Sequence, residues 1–437
     1  MKAISPAGYV ALYTFLLPAP GRRTHEFRKS YTGITPYYGA RLMINDAVNG
    51  IDDLYTLRKL EEMIRINSVV GKEGELAEYI KVELEALGLK TETHIVEPGR
   101  PNVYARLMWD KPGKRLNYNG HLDTIPVVEG WETDPFEPVR IEDRLIGLGS
   151  CDMKAGFACI LTMFKAIQDS GHKIKGELSI SAVIDEEAYG QGAKAMLKTD
   201  FAKVDGIVLA EPYPCDESKP MPLGITGKIL YEVTVRGKAA HGFRPHLGVN
   251  AVEDAAKIVA NLDKLHFLNH NDFGKGNYCT LKFDGGYQIY SVVVPASARF
   301  EVNRLLVPGE TADTAIADMD RLVKNLNLKS TVEVRTKPPQ YGAYVMSQMD
   351  PIIKAFDPVY RDVMGKPPVY QYAYGITDAN TFAGVGKIPC LHLGPARGIS
   401  DPKRGGGVHD KNEYVDVTWL TKINQMYVKI ADEFLNK

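Results

Sequence analysis

The sequence predicts an α/β protein, a mostly parallel sheet covered by helices, interrupted by an inserted α+β unit of βαββαβ order. Two observations lead there. From Asp52 onward helical and strand patterns alternate, the mark of parallel strands joined by crossover helices. Between Ile229 and Arg335 the order becomes strand, helix, strand, strand, helix, strand, a ferredoxin-like two-layer unit complete in itself.

Each element has a local cause. Leu76, Ile80, Leu84 and Leu87 share one helical face, and Gly88 follows as a stop signal. Strands are expected at 102–107, 115–120, 177–184 and 205–209, with an apolar helix at 155–167. In the insertion the expected elements are strands at 229–236, 278–283, 298–304 and 330–335 and helices at 251–262 and 311–326. The α/β pattern resumes after Pro338-Pro339 and closes with a helix at 420–435. The expected division is an extension at 1–42, an α/β domain at 43–222 and 338–437, and the inserted unit at 223–337.

Composition narrows the function. The 437 residues suffice for several domains, and 53 basic against 54 acidic side chains remove the electrostatic case for nucleic acid or an anionic membrane as the main partner. The five cysteines form no C-x-x-C pair, which argues against a disulfide framework or a thiolate metal site and for a reducing, cytoplasmic setting. Residues 1–42 differ from the rest, with six basic residues against the single acid Glu26, and are expected to be a poorly packed extension.

The chemistry sits where strands end, the usual location of sites in open α/β sheets. Gly120-His121-Leu122-Asp123 follows one strand, and Asp152 lies in a Gly-rich turn before a helix. Asp185-Glu186-Glu187 and Ala210-Glu211-Pro212 follow two further strands, and Val408-His409-Asp410 comes far downstream. Two imidazoles (His121, His409), two terminal carboxylates (Glu187, Glu211) and one carboxylate able to bridge (Asp152) make a nitrogen and oxygen donor set suited to two zinc ions about 3.5 to 4 Å apart. Asp123 is placed to accept the second N–H of His121, and Glu186, beside a ligand but free, is the candidate general base.

The ordered motifs GHLDT, GLGSCDMKAG, DEEAYG, AEP and VHDKNEY resemble the M20 family of co-catalytic zinc amidohydrolases and peptidases. That family includes acetylornithine deacetylase, succinyl-diaminopimelate desuccinylase, aminoacylases and glutamate-releasing carboxypeptidases. The resemblance implies one zinc on His121 and Glu211, a second on Glu187 and His409, with Asp152 between them, and cobalt as a substitute. It implies that Asp123 orients His121 and that Glu186 is the base and later the acid. It also implies a cis Asp152–Met153 peptide, an oxyanion-stabilising His241 supplied by the neighbouring subunit of a homodimer, and a substrate carboxylate held by Arg304. The chain departs from the desuccinylase pattern at Val292, Val302 and Gly405, which removes donors for a second substrate carboxylate. The expected activity is therefore hydrolysis of the amide of an N-acylated amino acid, acetyl rather than succinyl. The alternatives are a carboxypeptidase or dipeptidase and, in another class, an inactive metal-binding partner protein.

Overall fold

The computed structural model describes residues 44–289, 292–397 and 406–437; the expected extension at 1–42 lies outside them. The main sheet is built from β1 (Lys90–Glu97), β2 (Arg100–Met108), β3 (Arg115–His121), β4 (Glu177–Val183), β5 (Gly206–Leu209) and a late strand, Cys390–His392. Their spatial order is β1, β2, β4, β3, β5, then the late strand. The pairs β3–β4 and β3–β5 and the pairing of β5 with Cys390–His392 are parallel, while β1 and β2 add an antiparallel edge. The edge strand β1 and the short strand Cys390–His392 have too little apolar patterning to stand out in the sequence.

Registration places the site. His121 lies opposite Val183 and Asn119 opposite Leu209, so β3, β4 and β5 end together. Buried amides and hydroxyls lock these strands: Asn117 Nδ2 donates to Ser179 Oγ at 3.0 Å, and Asn119 Nδ2 to Ser181 Oγ at 2.9 Å. Helices α1 (Asp53–Ile64), α2 (Gly74–Ala86), α3 (Ala155–Asp169), α4 (Pro351–Met364) and α5 (Thr418–Asn436) complete this part. α3 is apolar nearly all round, and it packs against both α1 and α5. The Tyr118 hydroxyl ties β3 to α5 by donating to the Tyr427 carbonyl at 2.7 Å.

The insertion folds around a second core. Strands Gly227–Arg236, Tyr278–Gly285, Ser297–Leu306 and Thr331–Tyr341 form a four-stranded sheet, all of it antiparallel, with helices Ala251–Val259 and Ala312–Asn325 packed on it. Its core includes Ile229, Tyr231, Val233, Ile258, Phe300, Val302 and Met319, whereas Ile225 and Tyr344 belong to the core of the main sheet. The α/β architecture with a βαββαβ insertion is thus the one the sequence predicts. Among the described residues no helix is long and apolar enough to cross a membrane.

One contact tests the packing beneath the site. A Cβ added at Gly156, on the first turn of α3, would lie 2.3 Å from the Ala210 carbonyl oxygen, so α3 approaches the end of β5 as only glycine allows. Gly156→Ala is expected to lower stability by about 1 to 3 kcal/mol in denaturant titration, because backbone has to move.

Candidate metal centre

Three strand ends and two loops bring the sequence-predicted ligands together. His121 closes β3 with its side chain buried, and its Nε2 lies 3.0 Å from Asp152 Oδ1 and 3.8 Å from Glu211 Oε1. On the other side His409 Nε2 lies 2.8 Å from Glu187 Oε1 and 3.8 Å from Asp152 Oδ2. One oxygen of Asp152 therefore faces each imidazole. Donor atoms of His121, Asp152 and Glu187 all fall within 4.8 Å of one another.

The charges of this cluster are unbalanced. Burial, and then the charge of Glu211, push the Glu186 carboxyl well above its ordinary range. Burial and the neighbouring Asp152 raise Glu211 to about 8. Burial opposes ionisation of Asp152 too, but the hydrogen bond with His121 wins and holds its pKa below the usual value. Burial would also discharge His121, yet Asp152 and Glu211 outweigh it and raise the imidazole well above normal. Divalent cations held by these groups would offset the same crowding of negative charge. Mixed imidazole nitrogen and carboxylate oxygen donors, with one carboxylate facing both sides, fit a pair of borderline cations.

Asp123 does not play the part expected of its side chain. His121 Nδ1 meets the main-chain carbonyl of Asp123 at 2.9 Å, and the carboxylate stands 3.8 Å away. The carboxylate instead accepts the backbone N–H groups of Glu186 at 3.1 Å and Glu187 at 2.9 Å, fixing the turn that carries both acids. Asp185 braces the same turn, accepting from Arg100 at 2.8 Å and from the Gly190 N–H through its carbonyl at 2.6 Å. The Asp152–Met153 peptide is cis.

Arg304 corrects its expected role. It is 2% exposed, and its terminal nitrogens donate to Tyr231 Oη, Asp318, Glu310 and the His266 carbonyl. A guanidinium so occupied holds the insertion's helix and loops together and has no terminal N–H left for a substrate carboxylate. Val302, the residue in place of an acid, is buried in the same core. His241 is exposed on the insertion, where its Nδ1 accepts the Phe243 N–H at 3.2 Å. Val292 is 47% exposed, and Gly405 lies outside the described residues.

Sequence reasoning passed over Glu413. Its buried carboxylate accepts the N–H groups of Gly149 at 2.9 Å, Cys151 at 3.0 Å and Asp152 at 2.9 Å, and its carbonyl accepts that of Gly147 at 3.0 Å. Four residues after His409, it joins the loops carrying two ligands from opposite ends of the chain. Its signal was only its place in VHDKNEY; the amides it serves are about 260 residues upstream.

A parallel-sheet hydrolase with paired imidazole and carboxylate donors is the class these features define. The profile of Peptidase family M20/M25/M40 matches residues 118–433, and the chain belongs to that family. It is a metal-dependent hydrolase of amide or peptide bonds. The chain is 24% identical over 415 residues to a probable succinyl-diaminopimelate desuccinylase of Staphylococcus epidermidis, covering 87% of this chain and 98% of the relative. Among solved structures, aminopeptidase PepT from Bacillus cereus superimposes with a TM-score of 0.71 at 19% identity, covering 88% of this chain and 99% of that one. The Bacillus subtilis YXEP protein, described as a dinuclear metal binding peptidase from the M20 family, gives 0.63 at 15% identity over 90% of this chain and 98% of its own.

Truncating Glu413 is expected to loosen the Asp152 loop. Glu413→Ala should weaken binding of cobalt, followed by its visible absorption, by about 10- to 100-fold, as removal of groups that orient metal ligands does elsewhere. Unchanged affinity would mean that the three amides hold the loop without it.

Proposed function

We propose that this protein hydrolyses the amide of an N-acylated amino acid, using two zinc ions, replaceable by cobalt, on His121, Asp152, Glu187, Glu211 and His409. The observation that carries this reading is the placement of Asp152 between two imidazole–carboxylate pairs, with the half-buried Glu186 beside them. Held by these residues, the ions would supply Lewis-acid chemistry, polarising the scissile carbonyl and lowering the pKa of the attacking water. Glu186 takes the attacking water's proton on its carboxylate and returns it to the departing nitrogen. His241 donates to the developing oxyanion. Its exposed position on the insertion favours delivery from the neighbouring subunit of a homodimer; the free cysteines favour a cytoplasmic setting.

The acyl group is the finer question. Val292 and Val302 carry no polar side chain, so these positions offer nothing to a second substrate carboxylate. That supports acetyl over succinyl. Peptide cleavage is the second reading, favoured by the structural likeness to PepT.

A rate panel of N-acetylornithine, N-succinyl-diaminopimelate and simple dipeptides separates these readings. The acetyl substrate is expected to be fastest, a chelator to abolish all rates, and metal analysis to give up to two zinc ions per chain. Full activity in protein emptied of metal would refute the mechanism.

Mixing variants tests the remaining roles. Glu186→Gln should keep its metals and lose about 10²- to 10⁴-fold in turnover, since glutamine cannot take the proton. His241→Ala should also be slow. If the histidine acts across subunits, mixed dimers of the two regain part of the activity; mixed dimers without recovery would place its action within one chain.

A further inference from the structure

The chain passes between its two cores at Ile225-Thr226-Gly227 and again at Tyr341-Gly342-Ala343. These crossings run side by side: a Cβ at Gly227 would lie 2.5 Å from both the Tyr341 carbonyl oxygen and the Ala343 nitrogen. One side chain meets both. Asn380, fully buried, donates one amide N–H to the Thr226 carbonyl at 2.8 Å and the other to the Gly342 carbonyl at 2.8 Å. Its Oδ1 accepts the Thr377 N–H at 3.0 Å. Two carbonyls and one N–H demand this orientation of the amide, because the flipped form would set oxygen against oxygen. Additional bonds hold the first crossing, from the Thr226 N–H to the Ala373 carbonyl at 3.2 Å and from the Gly375 N–H to Thr226 Oγ1 at 3.4 Å.

The loop that carries Asn380 also reaches toward the base. Thr377 Oγ1 meets His392 Nε2 at 3.0 Å, and the buried Asp378 carboxylate, which has no hydrogen-bond partner among the described residues, contributes to the charge felt by Glu186. From the second crossing, the Tyr341 hydroxyl donates to the Ala188 carbonyl at 3.4 Å, one residue beyond Glu187. The crossings are therefore joined to the turn bearing Glu186 and Glu187 both through Tyr341 and through the 377–380 loop.

We infer that Asn380 is a positioning residue, a pin that sets the attitude of the inserted unit relative to the metal centre by holding both crossings with one amide. This rests on the proposed hydrolysis only for its effect on rate; the pin itself is a statement about geometry. No side chain other than asparagine offers two N–H donors and one acceptor at this reach: aspartate would set oxygen against both carbonyls, and alanine leaves them without a partner.

The test uses the full chain and reads distance as well as rate. Cys279, on the insertion, is exposed while the other four cysteines are buried, so it takes a nitroxide label as it stands. A second label goes on Leu54→Cys in α1, a position 80% exposed. Double electron–electron resonance, with labelled protein diluted in unlabelled, then measures the separation of the two units. Asn380→Asp and Asn380→Ala are expected to broaden the distance distribution and to lower kcat by about 10²-fold, the scale of a 1 Å misplacement, while leaving cobalt affinity unchanged. If either variant fails to fold, Thr226→Val, which removes only the bond from the Gly375 N–H, should broaden the distribution less. A distribution identical to the parent's in the folded variants overturns the inference whatever happens to the rate. Absence of hydrolysis in the parent would instead count against the proposed function and leave the distance measurement decisive for the pin.

Discussion

Carboxylates buried side by side repel one another, and each is stable there only if positive charge or N–H groups meet it. Asp152, Glu186, Glu187 and Glu211 converge with two imidazoles where β3, β4 and β5 end, and the surrounding structure answers that repulsion. His121 meets Asp152 and Glu211, and His409 meets Glu187 and Asp152. Divalent cations held by these side chains would offset the same repulsion.

A second tier of acids serves the backbone around these ligands. Asp123 takes two amides of the Glu186–Glu187 turn, Asp185 organises the rest of that turn under Arg100, and Glu413 takes three amides of the Asp152 turn. Each uses a carboxylate where amide N–H groups would otherwise be orphaned. Burial still raises Glu413 to about 7 and Asp123 to about 6, so these braces are themselves held under electrostatic load. Such an arrangement gives ligands little freedom to relax, which is the preorganisation a metal-assisted reaction requires.

The insertion is constructed differently. Its own apolar core and the Arg304 network make it self-sufficient, and it is joined to the metal-bearing part by adjacent crossings. That separation explains why Arg304 is unavailable to substrate: its terminal N–H groups already close the unit's own charge network.

The sequence by itself determined the α/β alternation, the βαββαβ insertion, and the candidate ligands at the ends of strands. Those depend on short-range periodicity and on residue types whose metal chemistry is legible at once: the 155–167 helix and the 115–120 strand appear with α3 and β3 extended by only a residue or two. Only the tertiary structure decided which atoms do the work. The Asp123 carbonyl rather than its carboxylate meets His121, Arg304 turns inward, Asn380 acts on backbone 38 and 154 residues away, and Glu413 on backbone about 260 residues away. Hydrogen bonds to main-chain amides and carbonyls leave no pattern in sequence, because every residue except proline offers the same partners; register and loop geometry alone choose among them.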